Sequence, residues 1–140
     1  MNNEQLKKFT IFSDLTDDEL NHFGNALKEV KMEKGQQFIT EGEEGDCIYL
    51  LLEGEVQINQ ALTLSMNKSE SDNREKAILK LSSDINPLFG EMSMFNEGDR
   101  RTANVRAETT CILVKLDKSD LYNICEKNPN IGFKVMRNLG

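Results

Sequence analysis

Residues 45–58 read Gly45-Asp46-Cys47-Ile48-Tyr49-Leu50-Leu51-Leu52-Glu53-Gly54-Glu55-Val56-Gln57-Ile58. The apolar run from Cys47 to Leu52 has the length of a strand, and Gly54 marks its turn. Val56 and Ile58 then alternate with polar neighbours, the two-residue period of a second strand. The same grammar extends outward on both sides. Upstream, Gly35, Gly42 and Gly45 separate the short run Phe38-Ile39 from its neighbours. Downstream, Leu62, Leu64 and Met66 keep the two-residue period, and Ala77 to Leu81 and Cys111 to Leu116 supply further strands. The stretch from Asn67 to Glu75 is polar and charged, which predicts a solvated loop. Many short strands with glycine turns mean a sandwich, a roll or a barrel.

Helical signals flank this region. Thr16-Asp17-Asp18-Glu19 is a capping box, and Leu20, Phe23, Leu27 and Val30 follow it at helical spacing. Residues 1–29 therefore read as a helical segment with one face to dock, and His22 falls beside that face as a surface histidine. After the strands of residues 30–117, Asp117 can cap a helix through Cys125. Asn128-Pro129 starts another, with Ile131, Val135 and Leu139 on one side, joined by Met136. Residues 118–140 are read as C-terminal helices, and the 140 residues as a single domain.

Composition excludes several classes of function. His22 is the only histidine, so histidine metal centres and most histidine acid–base schemes lack material. A formal net charge of −7 repels a nucleic-acid backbone. The cysteines Cys47, Cys111 and Cys125 form no CxxC pair, and read as reduced, mostly buried side chains. The longest aliphatic and aromatic run, Ile48 to Leu52, is too short to cross a bilayer, and the first residues lack a signal-peptide core. The expected address is the cytoplasm.

One segment carries chemistry: Phe89-Gly90-Glu91-Met92-Ser93, continued to Arg101-Thr102-Ala103-Asn104-Val105-Arg106-Ala107. Gly90 permits close approach of backbone to a ligand. Residues 91–95 can form a helical turn whose first amides attract an anion. Arg101 offers a planar fork for two phosphate oxygens, and Ala103 leaves its amide accessible. Glu91 repels phosphate, so it needs a hydrogen-bond donor of its own, such as a sugar hydroxyl. A Glu–Arg ion pair on a surface loop accounts for the same residues.

The segment resembles the phosphate-binding cassette of cyclic nucleotide-binding domains, as found in catabolite-activator-type regulators, protein kinase A regulatory subunits and cyclic-nucleotide-gated channels. The glycine motifs at Lys34-Gly35, Glu41 to Asp46 and Ile48 to Val56 match as well. The resemblance covers roughly residues 12–139. It implies a mainly β fold, a jelly-roll β-roll (a double-stranded β-helix) with N-terminal and C-terminal helices, and a cassette at residues 89–107. It implies that Glu91 binds the ribose 2′-hydroxyl and Arg101 the cyclic phosphate, with the amides of Gly90, Met92, Ser93, Thr102 and Ala103 completing the cradle. The ligand is then cAMP or cGMP, with no cofactor, no metal and no catalytic residue. By the resemblance, Thr102 either discriminates the purine or only supports the phosphate, with both nucleotides expected to bind. The implied function is a sensor that reports occupancy through its C-terminal helices to an effector protein or domain; a second copy of the chain is a further candidate partner. The chain stops before the DNA-binding motif and the long purine-capping helix of family members, so no DNA contact is expected from it. The alternative is a β-roll interaction domain that has lost its ligand.

Overall fold

The run from Cys47 to Leu51 is buried on both faces, and this fixes where the molecule's two cores lie. Successive strand residues point to opposite sides. Cys47, Tyr49 and Leu51 enter one cluster with Ile39, Val56, Phe89, Val105, Cys111 and Leu113. Ile48 and Leu50 enter another, with Val114, Leu116 and the apolar faces of the helices. A strand covered on both sides reads as continuously apolar, which is the run seen in the sequence.

The computed structural model describes residues 2–63, 74–91, 100–101 and 103–139. Within them lie α1 (Asn3–Lys7), a 3-10 turn (Thr10–Phe12), α2 (Asp17–Asn21), β1 (Leu27–Met32), β2 (Gln37–Ile39), β3 (Cys47–Glu53) and β4 (Glu55–Thr63). There follow β5 (Arg74–Ser82), a 3-10 turn (Ser83–Ile85), β6 (Leu88–Phe89), β7 (Asn104–Ala107), β8 (Cys111–Asp117), α3 (Lys118–Lys127) and α4 (Pro129–Leu139). The strands form two four-stranded antiparallel sheets, ordered β1-β8-β3-β6 and β2-β7-β4-β5. The fold is a β-roll flanked by helices, as expected. Gly54 makes the turn from β3 to β4 with φ +102°, and a Cβ there would lie 2.7 Å from the Thr110 carbonyl. Among the described residues, no helix is long and apolar enough to cross a membrane.

Two expectations are corrected. The helix read from Thr16 through Val30 ends at Asn21, although its capping box forms, with Thr16 and Glu19 exchanging hydrogen bonds of 2.9 and 3.1 Å. Leu27 and Val30 instead lie on β1, opposite Leu116 and Leu113 of β8. Leu27 joins the helix-side core and Val30 packs on the roll interior. A strand puts these two on opposite faces. Gly24 weakens the helix, and the β8 ladder satisfies the backbone beyond it, so tertiary pairing overrides the local pattern. The second correction concerns Arg74 and Glu75, read as loop. They begin β5, their backbones paired with Thr63 and Leu62; a ladder between backbones needs no apolar side chain. The rest of the expected loop, with Leu64 and Met66, lies outside the described residues.

The helices build one layer on the outer face of the first sheet. Leu6, Phe9, Ile11, Phe12, Leu15, Leu20 and Phe23 from the N-terminal segment share a core with Leu121, Ile131 and Val135. Polar contacts fasten α4 to that segment. Lys134 Nζ lies 2.7 Å from Glu19 Oε1, Arg137 pairs with Asp14, and Asn138 Nδ2 donates to Asp14 Oδ1 at 2.8 Å and to the Ile11 carbonyl at 3.2 Å. The Lys134 hydrogen bond, with that from the Thr16 amide, holds the Glu19 carboxyl below its ordinary range. A depressed carboxyl contributes stability above its unfolded pKa, and that contribution is lost as pH falls through the folded value. The fastening of α4 therefore weakens in acid.

Candidate functional site

The backbone brings the two sequence motifs together before any side chain does. The Arg101 amide donates to the Glu43 carbonyl at 2.7 Å, and the Gly42 amide donates to the Arg101 carbonyl at 2.9 Å. An isolated bridge joins Glu44 to Arg100, and Arg100 Nη1 donates to the Gly42 carbonyl at 2.8 Å. The glycine-rich loop before β3 is thus zipped to the segment before β7. Two stretches more than fifty residues apart in sequence make one rim.

Behind this rim the Arg101 side chain is buried, with 9% of its surface exposed. Its Nη2 donates to the Cys47 carbonyl at 2.7 Å and stands 3.6 Å from the Cys47 thiol. Its Nη1 lies 3.4 Å from the Gly90 carbonyl. Gly90 takes φ +94°, a conformation open to glycine and costly for other residues. A Cβ there would overlap Arg101 Nη1 and sit 3.0 Å from the Cys47 carbonyl. The space above Gly90 is therefore the space the guanidinium uses. On the same two strands, Tyr49 pairs with Phe89 across β3 and β6, and Phe38 packs on Tyr49 at 5.1 Å and on Phe89 at 6.3 Å. Burial raises the Tyr49 hydroxyl and the Cys47 thiol above their ordinary pKa ranges, so both are uncharged at neutral pH.

Glu91 is half-buried at the end of the same strand. It lines a cleft of about 270 Å³ with Thr10, Ile11, Asn86, Leu88, Asn138 and Leu139. The ion pairs among the described residues do not include one between Glu91 and Arg101. Arg101 is buried, not on a surface loop as the ion-pair alternative has it. Ala103 is half-buried just before β7. Met92, Ser93 and Thr102, expected to complete the cradle, lie outside the described residues.

The sequence reading placed Gly90, Glu91, Arg101 and Ala103 in the site and missed Cys47. Its thiol was read only as a buried small side chain. The signal was its position as the first residue of β3, directly after the glycine loop that binds the Arg101 backbone. The other cysteines have no such neighbour. Cys111 is buried in the roll, Cys125 is half-buried on α3, and burial raises both thiols.

Comparison with known proteins defines the class. The family of cyclic nucleotide-binding domains matches residues 29–128, and the chain belongs to it. A cAMP-dependent protein kinase regulatory subunit of Yarrowia lipolytica is 35% identical over 119 residues, 85% of this chain and 28% of that protein. The cGMP-dependent protein kinase egl-4 of Caenorhabditis briggsae is 27% identical over 120 residues, 85% of this chain and 15% of that protein. Among solved structures, a cyclic nucleotide-binding domain from Methylobacillus flagellatus superposes with a TM-score of 0.78 at 26% identity, over 97% of this chain and 70% of that one. The chain spans under a third of the length of these two curated relatives.

Proposed function

We propose that the chain is a regulatory sensor that binds cAMP or cGMP, with Arg101 on the cyclic phosphate and Glu91 on the ribose, and that it binds without turnover. The observation that carries this reading is the buried Arg101 guanidinium, aimed by the carbonyls of Cys47 and Gly90. These carbonyls fix the direction of the planar fork, whose geometry matches two phosphate oxygens. The amides of Gly90, Met92, Ser93, Thr102 and Ala103 serve the same cradle. The output is carried by the C-terminal helices to an effector outside residues 1–140. Calorimetric titration with cAMP and with cGMP tests the reading; absence of heat with both ligands defeats it.

Glu91→Gln separates ribose recognition from a structural role. The variant keeps shape and an acceptor but loses the charge that strengthens a bond to the 2′-hydroxyl, a difference of roughly 1 kcal/mol. Binding of cAMP is expected to weaken several-fold, and binding of 2′-deoxy-cAMP to change far less. Equal losses for both ligands count against a ribose contact.

The cleft that Glu91 lines is also lined by Asn138 and Leu139 at the end of α4. A ligand engaging Glu91 acts beside the contacts that fasten this helix to Asp14 and Glu19. It shifts α4 only if its affinity differs between this docked arrangement and a released one. Amide exchange in residues 128–139 is therefore expected to change on saturation with cyclic nucleotide, while β3 and β8 stay protected. Identical exchange with and without ligand excludes this route of output.

A further inference from the structure

We propose that the outer face of the second sheet docks an extended, acidic segment of a partner protein: Arg106 takes a carboxylate of that segment, and Ile78 an apolar side chain four residues away along it. This face is turned away from the roll interior, and its use does not depend on nucleotide binding.

The strand register lays two rows of side chains here. Gln37 of β2 pairs with Arg106 of β7, Arg106 with Gln57 of β4, and Gln57 with Lys80 of β5. In the next row Asn104 of β7 pairs with Asn59 of β4, and Asn59 with Ile78 of β5. Their strand neighbours Val56, Ile58, Val105 and Ala107 enter the core, so alternation turns the two rows outward. Gln37, Gln57, Asn59, Asn104 and Arg106 line a cavity of about 220 Å³. The fold uses some of their amides. Asn104 Oδ1 accepts from the Glu41 amide at 2.7 Å, and Gln37 Nε2 donates to Thr40 Oγ1 at 2.9 Å. Gln57 Oε1 meets Arg106 Nη2 at a long 3.5 Å. Asn59 is half-buried, yet its side chain has no hydrogen bond among the described residues.

These groups select their ligand. Arg106 is exposed and enters none of the ion pairs among the described residues. Lys80 is engaged by Glu108 at 3.6 Å, and Glu55 lies beyond Gln57 on β4, so a carboxylate is directed to Arg106. A side-chain amide carries a donor and an acceptor, the pair that a peptide group presents, so the surrounding amides suit a polypeptide backbone. The cavity is smaller than the roughly 300–1,000 Å³ of a small-molecule pocket, and it adjoins Ile78, 58% exposed on the same face. A protein segment uses both features; a free anion or a sugar leaves Ile78 idle. The spacing follows from the sheet. Arg106 and Ile78 are two strands apart at roughly 4.8 Å each, and two residues apart along the strands at about 3.3 Å each. That diagonal is roughly 12 Å, close to the about 13 Å of four extended residues, which return a side chain to the same side.

The probe is the blocked peptide acetyl-Thr-Glu-Ser-Thr-Ser-Leu-Thr-amide, titrated to about 1 mM into isotope-labelled protein and followed by nuclear magnetic resonance. The backbone amides of Gln57, Asn59, Ile78, Asn104 and Arg106 are expected to shift together. Glu to Gln in the peptide, or Arg106→Gln in the protein, is expected to weaken binding about fivefold. Ile78→Ser, or a peptide with its Leu moved one position toward the Glu, is expected to weaken it about threefold. Both substituted side chains are exposed, and the peptide variants leave the protein intact. Absence of shifts at these residues, equal binding of the Glu and Gln peptides, or equal binding at the two Leu positions overturns the proposal. Shifts there with methyl glucoside and none with the peptide assign the face to carbohydrate, and overturn it as well.

Discussion

Gly90→Ala is expected to abolish measurable cyclic nucleotide binding and to destabilise the fold by about 2–3 kcal/mol. Two effects combine. The backbone at Gly90 has φ +94°, where an L side chain is strained. The new Cβ also falls on Arg101 Nη1, with the Cys47 carbonyl 3.0 Å away on the other side. The arginine must then swing out of its seat or β6 must move from β3, and either outcome dismantles the proposed phosphate site. Isothermal titration and chemical denaturation measure the two consequences separately. A variant of full stability and full affinity would show that the guanidinium position is not the one used in binding.

Arg101→Lys is the second large effect, and a narrower one. The charge is kept, but a fork is replaced by a point donor on a flexible stem. One ammonium cannot span the Cys47 and Gly90 carbonyls together and still present two donors to a phosphate. Affinity for cAMP is expected to fall at least tenfold, about 1.4 kcal/mol, with the far-ultraviolet dichroism unchanged. Unaltered affinity removes Arg101 from the site. Because Arg101 is buried, some loss of stability accompanies the change, and binding is measured at a temperature where the variant is folded.

Much of this molecule can be read from residues alone, and the reasons differ by element. The run Cys47 to Leu51 announces a strand because both its faces are covered, and strong burial leaves a strong signal. The Thr16 capping box and the Asn128-Pro129 start are local chemistry, and both stand where the spacing put them. β1 was illegible because its partner is β8, far away in sequence, and the spacing from Leu20 to Val30 fits a helix equally well. Strands β6 and β7 are two and four residues long, too short for a period to emerge. In the site, Gly90 and Arg101 were legible as a glycine with an arginine at motif spacing. Cys47 was not, since it meets Arg101 through a backbone carbonyl and a thiol, neither of which a motif records.

The pairing of β1 with β8 has a consequence for how the chain is made. Leu27 faces Leu116, so the first strand meets its partner roughly 90 residues after it is synthesised, at about 5–20 residues per second. For several seconds β1 has nothing to pair with, and Phe12, Leu20 and Phe23 wait without the β8 side chains that roof them. The earlier pairing of β3 with β6 cannot help, because β8 is the strand between β1 and β3. The first sheet therefore cannot be completed until β8 has been made. A nascent chain halted before Cys111 carries an open edge and a bare aromatic cluster, the form in which molecular chaperones would meet it.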